Sequence, residues 1–273
     1  MDYVSYNGDI SKKPQMPLDQ GFLYGYGVFE TINVVQGKLA FFEDHLERLK
    51  QSALVMGLKL TRHPEQIRAD CQQIIKRNEM IRGGLRVTLS KGLKADNLLI
   101  TARENHYTRQ LFEQGVKICT SDVVRNESSR LVSIKSNNYL ENLLILNEAK
   151  ARGFSEAIFY NTQGYLAEGC MTNLFLIKNG RVCTPSRDCG LLAGIIRNRV
   201  IQLLKANHIP IEEGHYNQAQ LLAADEVFIT NSLMEIMPVQ QVDEAQFGIG
   251  PETLTHRIDA LFEQTWGLNE GSE

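Results

Sequence analysis

The chain has 273 residues, of which 43% are hydrophobic and 22% charged, and its formal net charge is -3 at neutral pH. This length suits one large or two medium domains, and the composition is that of an ordinary globular protein. The small negative charge gives no indication that nucleic acid or an anionic membrane is a partner. No run approaches the ~20 apolar residues that a membrane-spanning helix needs.

Cysteine usage bears on the cellular compartment. The chain contains five cysteines, an odd number, and none belongs to a C-x-x-C pair. This is typical of reduced thiols in a cytosol rather than of a disulfide framework. The first residues show neither a basic region nor a long apolar stretch, so no secretory signal is predicted and a cytoplasmic location is expected.

The first half of the chain alternates predicted strands and helices. Asn7 and Gly8 indicate a hairpin within residues 3–10, because this pair favours the tight turn between antiparallel strands. Gln36 and Gly37 separate two further strand-like runs. Predicted strands lie at 28–35, 38–42, 85–90 and 98–102, and predicted helices at 44–56 and 65–77.

The second half is predicted to be α/β as well. The polar stretch 103–114 is interpreted as a link between an N-terminal α/β domain, 1–112, and a C-terminal domain, 113–273. Gly153 is predicted to close the first helix of the second domain. Predicted strands lie at 116–120, 156–160, 173–177, 181–184 and 226–230, and predicted helices at 138–152, 195–207 and 252–266.

Lys135 ends an apolar run, 131–134, that is predicted to be a strand. Asn138 follows as a candidate N-cap with Glu141 three residues on, so a helix is predicted to begin there. An amine held between a strand end and a helix start can be rigid and partly desolvated, which favours its neutral, nucleophilic form. Taken alone, the pattern favours an ordinary surface lysine at a strand end.

Several other segments stand in a defined order around this lysine. Glu168 lies beside Gly169 between two strand-like runs, residues 190–197 indicate a glycine turn that opens a helix, and Arg48 lies on an upstream helix. The segments are 22–31, 44–49, 165–177, 190–197 and 226–239. In this order they resemble the fold-type IV pyridoxal-phosphate enzymes, the class IV aminotransferase family. That family includes branched-chain and D-amino-acid aminotransferases and 4-amino-4-deoxychorismate lyase.

The resemblance covers nearly the whole chain and implies both fold and partners. The expected fold class is α/β (α+β), with a small N-terminal α/β sandwich and a larger C-terminal α/β domain that contains a barrel-like sheet. The cofactor implied is pyridoxal 5'-phosphate, and the substrate a small molecule with an amino group. A homodimer is also implied.

The resemblance further assigns roles to individual residues. Lys135 corresponds to the lysine that forms a Schiff base with the cofactor and later carries a proton. Glu168 corresponds to the carboxylate facing the pyridine nitrogen, where an anion keeps the ring protonated and electron-accepting. Arg48 corresponds to the phosphate-binding arginine, whose planar fork matches phosphate oxygens. Further cofactor contacts are implied for Tyr139 at the ring oxygen and, at the phosphate, for Gly194, Ile195, Ile196 and Ser232. Contacts with the substrate are implied for Tyr24, Thr31, Leu233 and Met234.

Each assigned residue also has an ordinary structural explanation. Arg48 could be a solvated helix residue or an i,i+4 partner of Asp44. Glu168 could be a strand-end carboxylate, and Tyr24 a half-buried core aromatic. The occurrence of all the motifs together favours the cofactor site for all of these residues except Tyr139 and Tyr24, for which both explanations stay open.

The family catalyses different reactions, and a lyase is the primary prediction. Segments 21–31 and 230–239 resemble bacterial aminodeoxychorismate lyases, which release pyruvate and leave 4-aminobenzoate for folate biosynthesis. Branched-chain enzymes tend to have glycine where Thr31 stands. D-amino-acid enzymes carry a carboxylate-binding arginine near Lys91, and lysine is a poor substitute for a bidentate fork. A branched-chain or D-amino-acid aminotransferase using 2-oxoglutarate is the alternative, and a catalytically inactive binding protein is less favoured.

Other chemistries lack their sequence patterns. Residues 25–30 match only half of a dinucleotide fingerprint, and neither a G-K-[ST] phosphate loop nor a G-x-S-x-G motif is present. The six histidines show no metal-ligand spacing, so no metal is expected.

Overall fold

The computed structural model describes residues 2–268. They form two compact units. Unit 1 runs from the N-terminus to His106 and also includes Ile134–Tyr139, whereas unit 2 comprises Tyr107–Ser133 and the chain from Leu140 onward. The short segment that contains Lys135 therefore belongs to the unit formed mainly by the first 106 residues. The domain division expected at residues 112 and 113 stays a prediction.

Unit 1 contains an antiparallel sheet with helices beside it. Its elements are β1 (Val4–Tyr6), β2 (Asp9–Ser11), α1 (Gln20–Tyr24), β3 (Gly27–Val35), β4 (Lys38–Leu39), α2 (Phe42–Val55), α3 (Pro64–Arg77), β5 (Arg82–Ser90) and β6 (Asn97–Arg103). The strand order is β2-β1-β6-β5-β3-β4. The two longest strands, β3 and β5, pair along their whole length.

Two tight turns set the register of the unit 1 hairpins. Asn7 and Gly8 join β1 to β2 with φ angles of 52° and 98°, and Gln36 and Gly37 join β3 to β4 with φ angles of 51° and 76°. Positive φ at both central residues matches the right-handed twist of the flanking strands. Both predicted hairpins are confirmed, although β4 ends at Leu39 rather than at residue 42.

The core of unit 1 lies between one face of this sheet and helices α2 and α3. Side chains alternate along a strand, so Val28, Ile32 and Val34 enter the core while Phe29 and Thr31 point to the opposite face. Each large apolar side chain buried in this way contributes about 1.5–3 kcal/mol. The helices supply Leu46, Leu49, Ile67 and Ile74, among others. Helix α2 therefore lies directly against β3, which is the arrangement that positions Arg48.

Unit 2 contains a larger, mixed sheet. Its elements are α4 (Arg109–Gln114), β7 (Val116–Thr120), α5 (Leu140–Ala151), β8 (Glu156–Tyr160), β9 (Leu166–Gly169), β10 (Asn173–Lys178), β11 (Arg181–Pro185), α6 (Ile195–Ala206), β12 (Ile211–Gly214), α7 (Gln218–Leu222), β13 (Glu226–Asn231), β14 (Glu235–Val242), β15 (Ala245–Gln246) and α8 (Leu254–Leu268). The strand order is β12-β11-β10-β13-β14-β7-β8-β9, and β15 pairs with β14. Strand β9 at one end also lies against β10 and β11, so the sheet curls toward a barrel.

The segment before Lys135 differs from its prediction. Residues 131–134, expected as a strand, form turns, and the amide of Val132 donates to the carbonyl of Ser129. The apolar run is too short to define a strand by itself, and the serines before it favour a turn. Helix α5 begins at Leu140, so Asn138 is not its N-cap; the Asn138 side chain instead donates to the carbonyl of Gly25.

Most of the elements that prediction missed are short, although β14, which has eight residues, was also missed. Helix α1 begins after Asp19, whose carboxylate accepts from the amide of Phe22, and α4 begins after Thr108, whose hydroxyl accepts from the amide of Leu111. Both are local capping interactions, which stabilise a single turn without a long apolar pattern. Helix α4 lies within the stretch 103–114 that was interpreted as a link. Among residues 2–268, no helix combines the length and hydrophobicity needed to cross a membrane.

Candidate active site

Lys135 is fixed along the edge of β3. The amide of Phe29 donates to the carbonyl of Lys135 and the amide of Asn137 donates to the carbonyl of Gly27, both at 2.8 Å. Val28 and Ser136 form an isolated antiparallel bridge between these bonds. The backbone of Lys135 is therefore held as rigidly as a strand residue, although it lies in no strand.

Two aromatic rings surround the amine of Lys135. Its Nζ lies 4.6 Å from the centre of the Phe29 ring and 5.1 Å from that of Tyr139, and these rings meet edge to face at 5.3 Å. Nζ also lies 3.5 Å from the phenol oxygen of Tyr139. Lys135 is half-buried. The rings exclude water from its sides and restrict its rotamers, which suits an amine that must attack at a defined position.

Arg86 lies against the same Phe29 ring, and sequence analysis did not identify it. Its guanidinium carbon is 3.5 Å from the ring centre, and Nη2 donates to the side-chain oxygen of Asn137 at 3.1 Å. Burial, with repulsion from Arg103, lowers the pKa of Arg86 to about 10. In the β3–β5 register Arg86 stands opposite Thr31. An arginine within the predicted strand 85–90 was the available signal, but the residue that stands opposite it could not be predicted from the sequence.

Arg48 is paired with a carboxylate inside unit 1. Its Nε donates to Oε1 of Glu30 at 2.8 Å and its Nη2 donates to Oε2 at 2.7 Å. His45, one turn earlier on α2, contacts the same Oε2 through Nδ1 at 2.7 Å. Although burial alone would raise it, the charge of Arg48 and these hydrogen bonds lower the pKa of Glu30 to about 2. Arg48 is therefore paired with Glu30 on β3 and is not merely a solvated helix residue.

The predicted substrate residues of unit 1 have different exposures. Thr31 is buried on β3, with the same orientation as Phe29 by strand alternation. Tyr24 ends α1 and is 72% exposed, so it is not a core aromatic. Their roles stay predictions.

Glu168 lies on β9 in unit 2 and is held from two directions. Its Oε2 accepts from the amide of Leu192 at 2.9 Å, and its Oε1 lies 3.9 Å from Nη2 of Arg125. The guanidinium of Arg125 stacks on the ring of Phe159 at 3.8 Å. The Glu168 side chain is 12% exposed. Both Arg125 and Leu192 orient this carboxylate, and neither was predicted from the sequence.

The N-terminus of α6 fits an anion. Gly194 is the N-cap residue and has no side chain with which to cap the helix, and Ile195 and Ile196 form its buried first turn. A Cβ on Gly194 would lie 2.1 Å from the side-chain oxygen of Asn173, so only glycine fits there. The Asn173 amide donates to the carbonyl of Leu192 at 2.8 Å and fixes the preceding loop. First-turn N–H groups and the helix dipole favour a phosphate at such an end.

The turn between β13 and β14 contains Ser232, Leu233 and Met234. The side-chain oxygen of Asn231 accepts from the amides of Leu233 and Met234, both at 2.9 Å. Leu233 is buried and Ser232 half-buried. These bonds make the turn rigid. The backbone amides of Leu233 and Met234, residues predicted to contact the substrate, already donate to Asn231.

One group of potential metal ligands exists among the described residues, which the spacing of the histidines did not indicate. Asp188, Cys189 and His215 place one ligand atom each within 4.8 Å of the others. His215 contacts Asp188 at 2.9 Å, and the sulfur of Cys189, fully buried, lies 3.9 Å from the carbonyl of Gly214. These contacts explain why the three side chains lie close together without a bound metal ion.

The chain belongs to the class IV amino-transferase family, whose sequence model matches residues 27–242. It is therefore a member of a family of pyridoxal-phosphate-dependent enzymes. It is 28% identical to the aminodeoxychorismate lyase of Bacillus subtilis over 91% of this chain and 88% of that protein. It is 30% identical to the D-alanine aminotransferase of Listeria monocytogenes over 85% of this chain and 83% of that protein.

A solved structure supports the same assignment. The branched-chain amino acid aminotransferase of Escherichia coli superposes with a TM-score of 0.88 at 26% identity, covering 96% of this chain and 94% of that one. The expected α/β fold class and the family resemblance are confirmed. At these identities the relatives include both lyases and aminotransferases, so the family is established and the particular reaction is not.

Proposed function

We propose that this chain binds pyridoxal 5'-phosphate and converts 4-amino-4-deoxychorismate to 4-aminobenzoate and pyruvate. The observation that carries the proposal is the setting of Lys135, an amine held by β3 and enclosed by the rings of Phe29 and Tyr139. The similarity to the Bacillus subtilis lyase favours this reaction. Folate biosynthesis is the pathway that such a product would serve.

The residues present have the chemistry that the cofactor requires. Lys135 offers a half-buried amine for its aldehyde, Glu168 a fixed carboxylate for its pyridine nitrogen, and the α6 N-terminus a glycine cap for its phosphate. Arg48 supplies a guanidinium already oriented by Glu30. Tyr139 and Ser232 are assigned to the ring oxygen and the phosphate. When bound, the cofactor supplies an electrophilic carbon and a ring that accepts electrons from the substrate.

In the proposed reaction Lys135 would have two tasks. Its Nζ would hold the cofactor, and with the substrate bound the same amine would remove and return protons. The phenol of Tyr139, 3.5 Å from Nζ, limits the positions that the amine can take. Tyr24, Thr31, Leu233 and Met234 are proposed to contact the substrate. Arg86 is a further candidate, because a half-buried guanidinium beside Lys135 can bind a substrate carboxylate.

An aminotransferase is the second candidate, and the similarity to the Listeria D-alanine enzyme favours it. Lys91 argues against a D-amino-acid substrate. Its Nζ lies 3.0 Å from Asp96, whose side chain is 3% exposed, so this amine is committed to an internal ion pair. The chain therefore does not offer a cation at Lys91 for a substrate carboxylate.

The test is a paired assay on the purified protein. One arm supplies 4-amino-4-deoxychorismate and follows pyruvate release; the other supplies L- and D-amino acids with 2-oxoglutarate and follows amino exchange. We expect pyruvate without exchange. Robust exchange with no pyruvate would replace the lyase by an aminotransferase, and inactivity in both arms would favour a binding protein.

Lys135→Ala tests the cofactor assignment. We expect this variant to lose both the visible absorption of bound pyridoxal phosphate and at least about 10³-fold of the activity, since no other group replaces the nucleophile. Lys150→Ala, at an exposed position on α5, is the matched control and should keep both. Retention of colour and activity by Lys135→Ala would contradict the assignment.

A further inference from the structure

Glu30 is a charged residue in a core position. It lies on β3 between Val28 and Ile32, which point into the apolar core of unit 1, and its side chain is only 2% exposed. Removing a carboxylate from water is unfavourable by several kcal/mol unless partners compensate. An apolar residue at this position would avoid that penalty, so stability alone does not explain a carboxylate here.

Among residues 2–268, the side chains that hydrogen-bond the Glu30 carboxylate both lie on helix α2. Both oxygens of Glu30 accept from Arg48, Oε1 from Nε at 2.8 Å and Oε2 from Nη2 at 2.7 Å, and Oε2 also contacts His45 Nδ1 at 2.7 Å. This bidentate pairing fixes the plane of the guanidinium, because both bonds must lie in it. The Arg48 side chain is 13% exposed and so remains more accessible than Glu30.

His45 holds the carboxylate from its other side. Its side chain is 1% exposed, and burial, which outweighs the nearby carboxylate, lowers its pKa. The neutral ring then carries its proton on Nδ1 and donates to Glu30, which agrees with Nε2 having no hydrogen-bond partner among the described residues. The charge of Lys135 contributes to the lowered pKa of His45, and Tyr139 contributes to the raised pKa of Arg48, so this cluster adjoins the lysine.

We propose that Glu30 and His45 are positioning residues that lock the guanidinium of Arg48 in the orientation that grips the cofactor phosphate. The inference rests on the proposed function, in which Arg48 binds that phosphate. Neither Glu30 nor His45 touches the cofactor in this arrangement. Two of the guanidinium nitrogens, Nε and Nη2, donate to Glu30, so the plane of the guanidinium is set by that carboxylate.

The experiment separates phosphate recognition from general damage. Apo-protein is titrated with pyridoxal phosphate and, separately, with pyridoxal, which has the aldehyde but no phosphate, and visible absorption reports binding. The measured quantity is the dissociation constant of pyridoxal divided by that of pyridoxal phosphate. A general structural defect weakens the binding of both aldehydes alike, whereas a misplaced Arg48 weakens only the binding of pyridoxal phosphate.

We expect Glu30→Gln to reduce this ratio about tenfold, the effect of losing one charge-assisted hydrogen-bond pair. His45→Leu should act in the same direction by a few-fold. His45→Asn places an amide donor near the position of Nδ1 and should restore the ratio. Glu30→Gln combined with Arg48→Lys should be no worse than Arg48→Lys alone, because Glu30 acts through Arg48.

Glu47→Gln is the matched control on the same helix, since Glu47 is exposed and contacts only Gln51 in the described hydrogen bonds. It should leave the ratio unchanged. The inference would be overturned if Glu30→Gln lost affinity for both aldehydes equally, or lost affinity for neither. If Glu30→Gln does not fold, the His45→Leu and His45→Asn pair decides by the same ratio. A wild-type protein that binds neither aldehyde would instead refute the proposed function, and this inference with it.

Discussion

Two carboxylates, one in each unit, are held by guanidinium groups. Glu30 is bound in bidentate fashion by Arg48 and is almost fully buried, whereas Glu168 lies 3.9 Å from Arg125 and accepts a hydrogen bond from the amide of Leu192. The rigid set of partners around Glu30 fits its proposed positioning role.

The ionisation of Glu30 should make the fold sensitive to acid. Despite the opposing effect of burial, Arg48 and the hydrogen bonds lower the pKa of Glu30 from 4.5 to about 2. The Glu30 carboxyl binds its proton more tightly in the unfolded chain than in the folded protein. Ionised Glu30 therefore stabilises the fold fully above the pKa of the unfolded chain, and this stabilisation is lost as the pH falls toward the pKa of the folded protein. We expect this group to account for about 2 kcal/mol of unfolding free energy lost between pH 7 and pH 3.

Urea unfolding at both pH values measures this loss in the wild-type protein and in Glu30→Gln. The variant should be less stable at pH 7, and the gap between the two proteins should narrow by that amount at pH 3. Parallel acid dependence of the two proteins would show that Glu30 is not ionised in the folded state as described.

At the scale of elements, strand β3 positions the candidate residues of unit 1. Strand β3 uses both of its faces: Glu30 contacts α2 on one side, and Phe29 contacts Lys135 on the other. A one-residue slip in its register would exchange these faces and separate both pairs. The nine-residue pairing with β5 makes such a slip unfavourable.

The start of α6 should not tolerate a side chain. In Gly194→Ala the new Cβ would lie 2.1 Å from the Asn173 oxygen, so Asn173 must move and its bond to the Leu192 carbonyl weakens. We expect a loss of about 1–3 kcal/mol in unfolding free energy and weaker cofactor binding. In Gly194→Ala combined with Asn173→Ala the clash is absent, and stability should match that of Asn173→Ala alone. Wild-type stability of Gly194→Ala would contradict this account.

At the scale of the whole molecule, exposed apolar side chains indicate a further contact. Met16, Leu18, Phe22, Leu23 and Tyr24 lie in and before α1, and each is 55–73% exposed. Such a concentration of large apolar side chains on one segment is typical of an interface. We propose that a second copy of this chain covers it, as the family resemblance implies.

Light scattering tests the proposed homodimer. We expect twice the mass of one chain for the wild-type protein and a shift toward monomer in Phe22→Ser with Leu23→Ser, because burial of two large side chains is lost at each copy. Leu54→Ser is the control, since Leu54 is 81% exposed on α2. A monomeric wild-type protein, or a double variant that stays dimeric, would contradict the proposal.

Local patterns predicted much of the fold. The strands at 116–120 and 156–160 match β7 and β8, and both hairpin turns were readable from an Asn-Gly or Gln-Gly pair. Helices with a clear apolar stripe were predicted to within two or three residues at each end. Short elements such as α1, α4 and β12 were missed, because a single capped turn or an exposed edge strand leaves little periodic signal.

The sequence by itself determined the family and the order of its motifs, since these depend on residue identity and spacing along one chain. It also predicted roles for Lys135, Arg48 and Glu168, which stay predictions, but it did not predict their partners. Only the tertiary structure decided that residues 134–139 return to the first unit, and that Glu30, His45 and Arg48 meet. The reason is physical: these contacts depend on strand register and on which face of a helix packs against which strand, and neither is fixed by local propensity.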